Sequence, residues 1–164
     1  MILIPYVVLL IAAAIFDLLT LTIPNWLCAL LTISFFPVAL FAHLPLDAWP
    51  GQLSCALTVL GMTFLLFQYG CWGGGDAKLA SAIALWLGWS GLPAFLVQTA
   101  LWGGALAALL LLLRIPPLPS IVARQPFMSR LVDPAAGAPY GVALALGGIL
   151  TVPHSALWAL SGGA

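Results

Sequence analysis

Two aspartates, Asp17 and Asp76, are the groups in this chain best able to do chemistry. Each borders a long apolar run, where a charge is costly to desolvate and needs a compensating role. Two carboxylates held close cannot both ionise cheaply, so such a pair shares a proton. One partner can then take a proton from water while the other donates to the oxygen of the bond under attack, which is acid–base hydrolysis without a covalent intermediate or a metal. Taken singly, each has a plainer reading: Asp17 as a helix-end charge reaching the membrane interface, and Asp76 as the N-cap of a following helix. Asp76, however, follows Gly73-Gly74-Gly75 and precedes Lys78 by two residues. Glycines allow another backbone to approach closely. The run lacks the spacing of a phosphate-binding loop, so no nucleotide partner is expected.

Cys28, Cys55 and Cys71 are scattered and form no closely spaced pair, so neither a disulfide nor a zinc site is supported, and no cofactor is expected.

The surroundings of these residues are overwhelmingly apolar. Of 164 residues, 64% are hydrophobic and 5% charged, with four basic residues and four acidic ones, and the mean hydropathy is +1.21. A soluble domain carries about 25% charged residues, so lipid must cover most of this surface. A formal net charge of zero offers no basic face to nucleic acid. The first apolar run has no Lys or Arg before it. It reads as a retained helix rather than a secretory signal, which needs a positive n-region.

A span needs about 20 apolar residues. Six runs qualify or nearly so, at 3–21, 26–42, 53–69, 77–89, 93–113 and 138–160. The expected fold is all-α, a helix bundle of about six transmembrane helices forming one domain over 1–164. The breaks between runs fall at Ile23-Pro24-Asn25, at 43–51, at 70–75, at Ser90-Gly91 and along the proline-rich stretch 114–137. If the runs alternate across a bilayer, Lys78, Arg114, Arg124 and Arg130 all fall on one side. The positive-inside rule makes that side cytoplasmic and puts both termini outside. Asp17 and Asp76 then share the cytoplasmic end of the bundle. Asp133 lies in the long loop, while Asp47, His43 and His154 belong to the opposite face, away from the pair. The run at 77–89 is short for a span, as expected of a thinned or tilted one.

With these residues placed, the chain resembles the type IV prepilin peptidases, a family of GxGD intramembrane aspartyl proteases. Gly73-Gly74-Gly75-Asp76 with Lys78 is similar to the family's GxGDxK motif. Asp17 followed by Ile23-Pro24-Asn25 resembles its first motif, and Pro139-Tyr140-Gly141 resembles the Pro-aromatic-Gly element opening its last helix. The resemblance implies that Asp17 and Asp76 are catalytic, with Gly73, Gly75, Lys78, Asn25, Pro139, Tyr140 and Gly141 supporting or contacting substrate. It implies a prepilin partner, Flp-type, whose basic leader is cut off at the cytoplasmic boundary of a bacterial inner membrane. The cysteine-rich N-terminal region of the longer, methylating members is absent, so the likeness is to the short TadV/CpaA-like subtype. One departure stands out: Leu18-Leu19-Thr20-Leu21-Thr22 holds no basic residue where the family usually shows some.

Among the supporting residues, Lys78 is open to two readings, as a carboxylate-steering group or as an interface anchor. Asn25 is expected to cap the second helix, and Tyr140 to be an interface aromatic. Two other functions would use the same aspartates: a small proton-coupled transporter and a non-catalytic membrane assembly factor. A transporter calls for acids spread through the membrane depth, whereas this sequence gathers those of its spans at one face.

Overall fold

The structure, a computed structural model, describes residues 2–114, 137–160 and 162. All regular structure among them is helical. Helix α1 spans Ile4–Thr20, with Pro5 in its first turn, where a missing N–H costs nothing. It ends on Leu21 in the left-handed conformation (φ 53°). Helix α2, Asn25–Phe41, starts directly after Pro24. A short 3₁₀ turn at Leu46–Ala48 leads into α3, Trp49–Gln68. The expected start at 53 was late because Pro50, Gly51 and Gln52 are weakly hydrophobic. Pro50 nonetheless sits in the first helical turn, which suits its fixed φ.

The fourth and fifth runs form one helical element, α4, Gly74–Arg114, broken at Gly88 (φ 64°, ψ −173°). The break is therefore not at Ser90-Gly91, as expected. That combination of dihedrals is open essentially to glycine alone, whereas Ser90, Gly91 and Pro93 continue the helix beyond it. Pro93 lies near the start of the second arm, where no preceding turn of that arm needs its missing N–H. The sixth run is also divided, into α5, Tyr140–Thr151, a 3₁₀ turn at Val152–His154 containing Pro153, and a short α6, Ala156–Leu160. Arg124, Arg130 and Asp133 lie outside the described residues.

The first arm of α4 (74–87) is the centre of the packing. Leu79, Ala80, Ala82, Ile83, Ala84, Leu85, Trp86 and Leu87 are all buried, as an all-round apolar helix must be. Its 14 residues extend only about 21 Å. Because protein surrounds it, its shortness is covered by the neighbouring helices. Trp86 lies between Tyr6 of α1 (ring centroids 4.9 Å apart) and Phe35 of α2 (5.7 Å), and its Nε1 donates to the Leu31 carbonyl at 2.9 Å. On α5, Gly147 lies against Thr99 of the second arm, and Gly148 against Tyr6, Leu10 and Ile83. Small residues of this kind let apolar helices approach closely. The second arm returns along α5 as far as Gly103, which faces Tyr140.

Two stretches, Leu46–Gln68 and Gly74–Leu113, are long and apolar enough to cross a membrane, and Ile4–Thr20, Asn25–Phe41 and Tyr140–His154 are shorter apolar helices. Their outer faces expose Ile33, Phe41, Met62, Leu101 and Leu111, a surface suited to lipid rather than water.

Candidate active site

The Tyr6–Trp86 contact fixes the register that brings the two aspartates together. From Tyr6 to Asp17, α1 rises about 17 Å, and from Asp76 to Trp86 the first arm of α4 rises about 15 Å. The two helices run antiparallel, so closing one end with the aromatic pair closes the other with Asp17 and Asp76. Both carboxylates line one cavity of about 310 Å³, with Gly73, Gly74, Gly75 and the turn from Leu21 to Asn25 as its walls.

Asp17 is buried, with 4% of its surface exposed. Its Oδ2 accepts a hydrogen bond from the Gly141 N–H at 2.6 Å. That N–H belongs to the first turn of α5, where a helix has no preceding turn to supply an acceptor. Pro139, the residue preceding α5, supplies no side-chain cap, so Asp17 caps this helix from another part of the chain. Glycine at 141 leaves room for this contact: a Cβ there would lie 2.8 Å from Asp17 Oδ2 and 2.7 Å from Ile23 Cδ1, and those side chains would have to shift.

Asp76 is the third residue of α4 rather than its N-cap. Its side chain folds back over Gly73, where a Cβ would meet Asp76 Oδ2 at 2.8 Å. Gly75 faces Ile23, at 3.2 Å from an added Cβ to Ile23 Cβ. Ile23 thus wedges between the start of α4 and the start of α5.

The remaining expected residues fall nearby but in different roles. Asn25 does not cap α2: it is the first helical residue, Pro24 takes the cap position, and no side-chain cap bond forms. Its Oδ1 instead accepts from Lys78 Nζ at 2.7 Å. Lys78 does not line the aspartate cavity but faces a neighbouring groove. Tyr140 is not simply an interface aromatic. Its ring packs edge-on against Trp72 (5.6 Å), and the two line a second cavity of about 350 Å³ that Asp76 also borders. His43 and Asp47 are exposed in the loop before α3, and His154 lies in the turn before α6; none lines either cavity.

Trp72 is a further residue at this site. Its Nε1 is buried with no hydrogen-bond partner among the described residues, and it lines the cavity that Asp76 borders. Its place directly before the glycine run was the available signal.

A model of the type IV leader peptidase family matches residues 4–113. The chain belongs to that family. The match takes in both aspartates, the Ile23-Pro24-Asn25 turn and the glycine run, and stops short of α5. No curated protein and no solved structure matches the chain. Membership makes peptidase the activity class and prepilins the class of substrate on which the family acts.

Proposed function

We propose that this protein is a membrane aspartic endopeptidase that removes the leader of a type IV or Flp-type prepilin, with Asp17 and Asp76 as its dyad. The observation that carries the reading is the shared cavity, in which two carboxylates from antiparallel helices face a glycine wall. In the proposed reaction, water adds to the scissile carbonyl carbon. The ionised aspartate takes a proton from that water, and the protonated aspartate gives its proton to the carbonyl oxygen. The resulting gem-diol collapses with cleavage of the C–N bond. The leaving nitrogen takes a proton from the aspartate that had accepted one, and the other aspartate recovers its proton from a gem-diol hydroxyl. One water is consumed, and an acid, an amine and the starting dyad remain.

Asp17 Oδ2 is engaged by α5, so this reading assigns Oδ1 to the water and substrate. The glycines of 73–75 give an extended substrate backbone room to approach. The reading extends to one catalytic domain over 1–164, of the short TadV/CpaA-like subtype, in a bacterial inner membrane with both termini outside. The dyad would then lie at the cytoplasmic boundary, where a leader meets its apolar helix.

The test is co-expression with a candidate prepilin and measurement of substrate size on a gel. Asp17→Asn and Asp76→Asn should each abolish processing while the protein stays in the membrane. Full processing by either variant would remove that residue from the dyad. Tolerance of both changes in a pilus assay would favour an assembly factor instead.

A further inference from the structure

The turn after α1 carries a backbone conformation that its residue does not favour. Leu21 lies in the left-handed region, at φ 53° and ψ 27°, and its N–H donates to the Asp17 carbonyl at 2.7 Å. Helices that end this way do so most often on glycine, because a Cβ is disfavoured there. For a bulky side chain the conformation is an outlier, and strained residues of this kind cluster at functional sites.

Packing does not explain the leucine. Among the described residues Leu21 is half-buried without joining the hydrophobic core, whereas Ile23, two positions on, is part of it. Leu21 instead lines the aspartate cavity, four residues after Asp17. Of the described residues around that cavity, only Leu21 and Ile23 carry large apolar side chains, and Ile23 is taken up against Gly75 and Gly141. Gly73, Gly74 and Gly75 add no side chain to the wall. That leaves Leu21 as the apolar group on which a bound chain closes.

We propose that Leu21 determines specificity: it limits the space for the side chain next to the scissile bond and so sets the size accepted there. The proposal rests on the peptidase reading for the reaction. Shortening Leu21 enlarges the cavity without touching the seat of Asp17. The Asp17 carboxylate is held from α5, and its carbonyl needs only the backbone N–H of residue 21. A pocket altered by even one methylene changes discrimination between substrates by about tenfold or more.

The test uses the full-length protein in membranes and three full-length Flp-type prepilins. One is unchanged, one has the residue before the cut enlarged to leucine, and one has the residue after it enlarged to tryptophan. Leu21→Gly and Leu21→Ala should each improve cleavage of an enlarged prepilin, relative to the unchanged one, by about tenfold or more. Leu21→Gly should also melt no lower than the unmodified protein, because it relieves the backbone. An unchanged ratio for both enlarged prepilins would overturn the proposal. So would an equal loss of cleavage on all three with a lower melting temperature, which would assign Leu21 to packing. Independently, a photo-crosslinking residue at position 21 in the Asp76→Asn background should attach to the prepilin beside the cut. One at Leu146, on the far face of α5, should not. Equal adducts at both positions, or none at 21, would overturn the proposal, and this result decides should the shortened variants fail to fold. An adduct at 21 with no prepilin cut by the unmodified protein would sink the peptidase reading and leave the contact standing.

Discussion

The Gly141 N–H donates to Asp17 Oδ2 at 2.6 Å, across 124 residues of chain. One hydrogen bond thereby joins the start of α5 to a carboxylate at the end of α1, and a proposed catalytic group doubles as a helix cap. Ile23 closes the same junction from the side, against both Gly141 and Gly75. The Ile-Pro-Asn turn and the Pro-aromatic-Gly element therefore act on one structure, the seat of Asp17.

Gly141→Ala should disable this seat. The added methyl would crowd both Asp17 Oδ2 and Ile23 Cδ1 to under 3 Å, and overpacking of this sort costs about 1–3 kcal/mol. The carboxylate must move or the start of α5 must retreat. Prepilin cleavage should fall at least tenfold while the protein still inserts in the membrane, as measured by initial rates on purified protein. Unchanged rates would show that the α5 contact does not set the geometry of Asp17.

Much of this arrangement was legible in the sequence, because the signals that place Asp17 and Asp76 are local. Apolar runs, Pro24 and the glycine run mark helix ends, and the charge asymmetry alone gathers both aspartates at one end of the bundle. The misreadings came where tertiary partners decide. Asn25 has the chemistry of a cap, but Lys78, from another helix, claims its oxygen. Ser90-Gly91 looks like the stronger break, yet Gly88 makes the reversal because its Cβ-free backbone is needed directly against Gln52. Tyr140 has the composition of an interface residue, but Trp72 offers its ring a partner inside the protein.

Gly88→Ala tests that reversal. At φ 64° and ψ −173° a side chain is strained by about 1–3 kcal/mol, and an added Cβ would also collide with the Gln52 amide. Thermal unfolding in detergent should show a clear loss of stability. Adding Gln52→Ala should recover part of it, by removing the collision and leaving the strained backbone. Full recovery in the double variant would mean that the backbone conformation itself costs nothing.

Trp86→Phe probes the far end of the register. It keeps a ring between Tyr6 and Phe35 but removes the bond from Nε1 to the Leu31 carbonyl and leaves space beside α2. The lost hydrogen bond is worth about 0.5–1.5 kcal/mol, with a further term for the space left behind. A destabilisation of about 1–3 kcal/mol is expected, with cleavage reduced only as far as the aspartates lose alignment. Trp86→Ala removes the wedge altogether and should cost about 3–5 kcal/mol. A Trp86→Ala variant with wild-type melting and wild-type cleavage would refute the idea that the aromatic contact sets the position of the dyad.

Lys78→Gln separates recognition from chemistry. Lys78 Nζ bonds to Asn25 Oδ1 at 2.7 Å and faces the groove rather than the aspartate cavity. A glutamine can still donate to Asn25, so the local fold should persist, but the positive charge is gone. If Lys78 meets an acidic group of the substrate, KM should rise several-fold with kcat little changed, as expected when binding common to ground and transition states is lost. Lys78→Arg keeps the charge on a longer side chain and should lie between the two. The effect on KM should also shrink as salt is added, because an exposed ion pair is screened over about 10 Å at 0.1 M. A fall in kcat at unchanged KM would instead assign Lys78 to the alignment of Asp76, two residues before it on the same helical turn.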